Sequence, residues 1–497
     1  MEHTDDDSRK LARRLTQQIT DGLAEHQRVG SGVFGAAYQE HWDSAIDWEP
    51  QYEKSEMSKS DRMDEKRMSS NMLDDILLDG NAEPISIPLA LLQQITDNFD
   101  DSLRIGEGGF AVVYKGVLQS GYVAVKKLLN SQTIEDEPFY IETSFLMTVK
   151  HQNIVRFMGY CANTENKAFK VDGKGIRGKF FYPEMRERLL CFEYISNGSL
   201  DKHITDELRG LECYTRYEII KGICEGLEYL HKEKDFGISK QLDGISRFIT
   251  KRRQGTLGYC APEYLHRGQV SFKADIFSLG IIITDIMTGR KDDPSIKNIL
   301  RRWRYRWNKS GTHQPLGCEK VTKCIKIAAR CTAHDMKTRP DISDIVTWLN
   351  ETESMNEHIS DAGELSVGQI IRPYSWELLD IDPIELHFPF EINKEISCSL
   401  HLTSTKDDYV AFHIELPSTR HYIIEPNRGI VPPQSKTDVM VTLQAQKQVP
   451  NDMLGKDEFV LRCTIVNDGL KVENITKDMF DGMLSDVVDK ATLTVSF

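Results

Sequence analysis

Ile105-Gly106-Glu107-Gly108-Gly109-Phe110-Ala111-Val112-Val113, followed by Val123-Ala124-Val125-Lys126, is the stretch that decides the fold. It reads as strand, glycine-rich turn, strand, then a second apolar strand ending in a cation. Glycines let a backbone approach phosphate oxygens with no Cβ in the way. Strand alternation puts Ala124 and Lys126 on one face and Lys127 on the other. In that register the small Ala124 covers a flat apolar ligand face while Lys126 reaches the phosphates. Lys127 then faces solvent, although the double lysine leaves a one-residue slip open. An earlier run, Gly30-Ser31-Gly32-Val33-Phe34-Gly35, fits the same spacing. It lacks the following strand and lysine, so it reads as a flexible turn.

Working outward, Glu142 lies in Phe139-Tyr140-Ile141-Glu142-Thr143-Ser144-Phe145-Leu146, a helical pattern that could aim a carboxylate at Lys126. Leu190-Cys191-Phe192-Glu193-Tyr194-Ile195 is an apolar strand running into Asn197-Gly198-Ser199-Leu200. Further along come His151-Gln152-Asn153-Ile154-Val155, Asp235-Phe236-Gly237, Gly255-Thr256-Leu257-Gly258-Tyr259, Ala261-Pro262-Glu263, Asp275-Ile276-Phe277-Ser278-Leu279-Gly280 and Arg339-Pro340. Any one of these is weak alone; their order and spacing are specific. Residues from about 86 to 350 resemble a Ser/Thr protein kinase of the plant receptor-like class.

The resemblance implies a bilobal α+β fold that uses ATP with Mg2+ and transfers the γ-phosphoryl group to a protein Ser or Thr. It places the nucleotide against Ile105, Gly106, Glu107, Gly108, Gly109, Phe110, Ala111, Val113, Ala124 and Lys126, with Glu142 orienting Lys126. Ala111 stands where the family has its third glycine. Backbone groups of Glu193 and Ile195 would meet the adenine, with Phe192 as gatekeeper. Asp235 would ligate the metal, and Glu263 would pair with Arg339 to brace the C-lobe. Thr256 would favour Ser/Thr substrates over Tyr. Ser246 and Thr250 would be candidate activation-loop phosphosites.

One part of the pattern is missing. Only Lys232-Glu233-Lys234 separate His231 from Asp235. The family pattern there contains H-R-D-L-x-x-x-N and the strands after it, roughly 25–30 residues. That block supplies the base for the substrate hydroxyl and an Asn metal ligand. Asp275, which would brace the missing loop, is expected to lose its partner, and strand edges are left unpaired. No intact catalytic residue remains. Three readings stay open: a pseudokinase, a form lacking one coding block, or a kinase with a substitute base among Asp201, Asp206 and Asp243.

From Trp376 to Phe497 the pattern changes to short strands between Pro, Gly and Asn turns: Ile396–Leu402, Val410–Leu416, Tyr422–Glu425, Asp438–Gln444 and Glu458–Ile465. These predict an all-β sandwich of about seven strands. With Ile381-Asp382-Pro383 and Pro426-Asn427-Arg428-Gly429-Ile430 this region resembles the major sperm protein domain of the VAP family, an immunoglobulin-like sandwich. That family binds acidic peptides through a basic groove. Here the groove positions read Glu415-Leu416-Pro417 and Glu458-Phe459-Val460, so an acidic ligand is expected to be repelled.

The chain therefore reads as an acidic, largely disordered leader (1–83), a kinase-like domain (84–350), a linker (351–374) and a β-sandwich (375–497). The net charge of -14 argues against non-specific binding to nucleic acid or anionic lipid. Arg301-Arg302-Trp303-Arg304-Tyr305-Arg306-Trp307 mixes cations with aromatics, but it falls where a kinase has C-lobe surface helices. No apolar run is long enough to span a membrane, and the N-terminus has no signal-peptide core. Ten scattered cysteines without C-x-x-C suggest free thiols in a reducing compartment, which is read as the cytoplasm. Expected partners are ATP, a protein substrate or signalling partner, and a peptide for the sandwich. The alternative to a kinase is a non-catalytic adaptor built from the same two domains.

Overall fold

The computed structural model describes residues 72–497 except 109–110, 130–135, 167–168, 172–178, 182–183, 205, 238–247, 250–257, 290–294, 312–314, 361–376, 417–421, 447–456 and 482–487. The chain divides into two compact units, 1–292 with 323–355, and 293–322 with 356–497.

The first unit opens on a six-stranded sheet. Its strands are β1 (Ile85–Ser86), β2 (Arg104–Glu107), β3 (Ala111–Val117), β4 (Tyr122–Leu128), β5 (Phe157–Asn166) and, after a hairpin of β6 (Phe169–Val171) and β7 (Lys179–Phe181), β8 (Glu184–Glu193). The order is β1-β5-β8-β4-β3-β2, with β1 parallel to β5. Both faces are covered, so alternate residues feed two cores. Val123, Val125, Leu189 and Cys191 join Ile87, Leu91, Leu92 and Ile95 on one side. Ala111, Leu128, Leu190 and Phe192 join Phe139 of the helix Asp136–Thr148 on the other.

The stretch before residue 84, read above as leader, contributes to the first core. Residues 72–78 are helical, and Leu73 and Ile76 are buried with Leu91 and Leu92. Asp74 accepts from the backbone amide of Ser120 at 2.8 Å, and Arg156 donates to the carbonyls of Leu77 and Asp79. Residues 1–71 lie outside the described residues.

Gly159 on β5 shows why β1 can lie so close. A Cβ there would sit 2.2 Å from the carbonyl oxygen of Ile85, its partner in the β1–β5 ladder. Gly159→Ala is expected to cost about 1–3 kcal/mol, as overpacking does, because a backbone carbonyl cannot step aside. Urea unfolding of the full chain measures it; an unchanged midpoint would contradict the close approach.

Helices follow: Cys213–Gly237, Pro262–Arg267 and Phe272–Thr288, and this unit also takes in residues 323–331 of Pro315–Cys331 and 342–355 of Ile342–Ser360. A short pair, β9 (Phe248–Ile249) and β10 (Gln269–Val270), lies between them in sequence. Arg216 is fully buried and serves as a knot, donating to the carbonyls of Leu211, Ile286, Asp206 and Arg209. The His151–Val155 motif grips the first helix. Asn153 Nδ2 donates to Glu225 at 2.8 Å, and the His151 ring stacks on Tyr229 at 5.0 Å.

The second unit is a sandwich of two sheets. The four-stranded sheet has β11 (Asp380–Asp382), β13 (Ile396–Thr403), β17 (Lys436–Leu443) and β15 (Tyr422–Glu425), in that order. The five-stranded sheet orders β12 (Glu385–His387), β19 (Asp489–Ser496), β18 (Glu458–Val466), β14 (Tyr409–Glu415) and β16 (Arg428–Val431). Extra short edge strands account for the excess over seven. Leu400, Phe412, Val441, Phe459 and Leu493 are buried. This unit also takes in the helix Ile296–Ser310. The Arg301–Trp307 run, expected on a surface, is instead sequestered: Arg301 and Arg302 are only 6% and 4% exposed.

Candidate functional site

The glycine turn joins β2 and β3. Gly106 pairs with Val113 and Glu107 with Val112, and the amide of Gly108 donates to the carbonyl of Ala111 at 2.9 Å. Above Gly106 the nearest atom to an added Cβ would be Val113 Cβ at 3.9 Å, so that side of the backbone is open to an approaching group. Ile105 is exposed beside it. Gly109 and Phe110 lie outside the described residues.

On β4 the two lysines part company. Lys126 is 5% exposed, a rare degree of burial for a lysine. Lys127 is half-buried, pairs with Glu187 on β8 at 3.2 Å, and rests over the Phe99 ring at 4.3 Å. Ala111, Ala124, Phe192 and Ile195 share one apolar cluster with Phe157 and Leu190. Four expected site residues thus form one wall, against which a flat apolar ring could lie. Phe192 packs edge-on against Phe157 at 5.3 Å. The amide of Glu193 is committed to the carbonyl of Arg156 at 3.0 Å, and its carboxylate accepts from the Arg156 amide at 2.9 Å. The Glu193 N–H is therefore not open to a ligand. Glu142 is half-buried on the helix that also supplies Phe139.

At the short gap the chain stays helical. The helix begun at Cys213 runs through His231 and closes on Asp235-Phe236-Gly237. Across the gap itself the backbone is satisfied within the helix; residues 238–247, where the expected strand edges would follow, lie outside the described residues. The side chain of Asp235 lies outside the described residues, as do Ser246, Thr250 and Thr256. The expectation that Asp275 loses its partner is corrected. His231 Nε2 lies 3.0 Å from Asp275 Oδ2, both side chains are buried, and the imidazole stacks on Phe272 at 4.4 Å.

Arg339 is 2% exposed and grips both carboxylate oxygens of Glu263, at 2.6 and 2.9 Å. One contact was not foreseen: Tyr259 donates to Asp285 at 2.9 Å, and burial, then that carboxylate, pushes its phenol well up. Its only sequence signal is its place beside Gly258. Among the described residues no group of three or more His, Cys, Asp or Glu side chains gathers where it could hold a metal.

In the sandwich, Glu415 is not an isolated charge: Arg462 lies 3.2 Å and Lys477 3.5 Å from its carboxylate, and Arg462 also meets Asp481. Pro417, the third position of that strand of the groove, lies outside the described residues.

The protein kinase domain model matches residues 99–234 and 232–348, two pieces that meet where the catalytic loop is missing. The chain belongs to the protein kinase family. The MSP (major sperm protein) domain model matches residues 378–482. Among curated relatives, Cysteine-rich receptor-like protein kinase 6 of Oryza sativa subsp. japonica is 30% identical over 344 residues, 59% of this chain and 46% of that protein. Cysteine-rich receptor-like protein kinase 29 of Arabidopsis thaliana is 31% identical over 315 residues, 54% of this chain and 43% of the relative. A G-type lectin S-receptor-like serine/threonine-protein kinase of Arabidopsis thaliana is 31% identical over 329 residues, 56% and 38% respectively. The chain spans less than half the length of these relatives. No helix among the described residues is long and apolar enough to cross a membrane.

Proposed function

We propose that this kinase-family chain is a signalling protein of receptor-like Ser/Thr lineage that keeps part of an ATP site and has lost efficient phosphoryl transfer. The observation that carries this is the unbroken helix from Cys213 to Gly237, which leaves three residues where the family places its base and a metal ligand. The adenine wall of Ala111, Ala124, Phe192 and Ile195 and the buried Lys126 fit a nucleotide. The Mg2+ set does not fit: of its usual Asp and Asn pair only Asp235 remains, at a helix end, so no step is routed through the metal. The second reading, a non-catalytic adaptor, follows from the same helix together with a sandwich suited to docking a protein partner. A reducing, cytoplasmic setting accords with ten free cysteines, nine of them buried.

A ligand that binds only the folded state raises its melting temperature. Mg·ATP at millimolar concentration is expected to leave the midpoint of the full chain essentially unmoved. A clear rise that requires both Mg2+ and the γ-phosphate would overturn the proposal.

A further inference from the structure

Strand β19 alternates as a sandwich strand should. Ala491, Leu493 and Val495 are buried in the core, which sends Thr492 and Thr494 to the outer face. Outer faces of sandwiches carry the polar residues that meet water. Thr494 is nonetheless 4% exposed, so something covers it. Its cover is the helix Ile296–Ser310: Arg302 Nη1 donates to Thr494 Oγ1 at 3.1 Å and Asn298 Nδ2 to Thr492 Oγ1 at 3.3 Å. At the start of the strand, Arg301 Nη2 sits 2.8 and 2.7 Å from the two oxygens of Asp489, which is 4% exposed. Arg304 meets Glu377, and Tyr305 donates to Asp382 at 3.1 Å. Asn298, Arg301, Arg302 and Tyr305 recur at helical spacing and so share one face.

This helix lies inside the stretch that the protein kinase family matches, yet it belongs to the same compact unit as the sandwich. We propose that the outer face of β19, with Glu377, Asp382 and Asp489 at its margin, is a receptor for a basic helix, and that residues 296–310 of this same chain occupy it. Charge complementarity identifies the occupant: Arg301 and Arg304 face the carboxylates of Asp489 and Glu377, while Tyr305 donates to Asp382. Burial specifies its register. A charge withdrawn from water is tolerated only opposite its partner, so a helix shifted by one residue would strand Arg301 and Asp489 together. Burial pushes the Glu377 carboxyl up, and the Arg304 and Arg301 guanidiniums hold it back down, as expected for a carboxylate enclosed by this helix. The sandwich thus serves as a clamp in cis, and this face is closed to peptides in trans while the helix is seated. The inference does not depend on whether the chain binds nucleotide.

The test is hydrogen–deuterium exchange of the full chain, read on peptides covering 296–310 and 489–496. Arg301→Asp and Asp489→Arg are each expected to speed exchange in both segments by about tenfold or more, since local opening sets exchange rates. The charge-swapped double variant is expected to restore most of the protection. Asp489→Asn, which keeps shape and removes charge, guards against single variants that fail to fold and should loosen the same two segments. Unchanged protection in the Asn variant, or a double variant no better protected than the singles, would overturn the proposal.

Discussion

Replacing Arg339 with alanine is expected to destabilise the protein by about 3–5 kcal/mol, the range seen when one partner of a buried pair is removed. The magnitude follows from what the guanidinium does. Two of its nitrogens hold Glu263, its Nε donates to the carbonyl of Ala333 at 2.8 Å, and Nη1 donates to that of Lys273 at 2.8 Å. Its plane lies over Phe277 at 5.0 Å. Truncation leaves a largely buried carboxylate and two carbonyls without their donor. A surface ion pair would cost no more than about 1 kcal/mol, so the two cases separate cleanly. Arg339→Lys should fall between wild type and alanine, because lysine keeps the charge and loses the planar fork. Chemical denaturation of the full chain reads the difference. A loss at the surface-pair level would mean that the brace does not form.

Phosphoryl transfer is the second large effect. Loss of a positioned general base alone is worth about 10²–10⁴-fold in rate, and the missing Asn removes a metal ligand as well. Among the described residues the structure offers no ready substitute; Asp243 lies outside them. Asp206 Oδ1 caps the local turn through the Leu208 amide at 3.1 Å, and its carbonyl is held by Arg216. Asp201 sits exposed on the short helix Leu200–Lys202. Asp275, the one buried carboxylate left from the catalytic scaffold, faces His231. Transfer to a Ser/Thr substrate is therefore expected at background level, and Lys126→Met should change it no further.

Much of this was legible in sequence because it is local: the glycine turn and the alternation that buries Val123 and Val125 follow from short motifs. The Glu263–Arg339 pairing spans 76 residues and was expected only from the family resemblance. What was not legible depends on long-range placement. Leu73, Ile76 and Leu77 had the i, i+3, i+4 spacing of a packed helix, but Asp74 and Asp75 between them made the segment read as acidic leader. The His231–Asp275 contact spans 44 residues and exists only because the helix continues past the break. The pairing of Glu415 needed the β14–β18 register, which sets Glu415 opposite Val460 and brings Arg462, two residues on, beside it on the same face. The Arg301–Trp307 run had an unmistakable composition, yet only burial showed that its cations face carboxylates rather than water.

The central claim, a nucleotide site kept only in part and without a base to use it, is tested most directly by transfer of label from γ-labelled ATP. The assay compares the full chain with its Lys126→Met variant, using Mg2+ and a general Ser/Thr substrate. The structure predicts the same background incorporation from both. Robust incorporation by the full chain that disappears in Lys126→Met would contradict it.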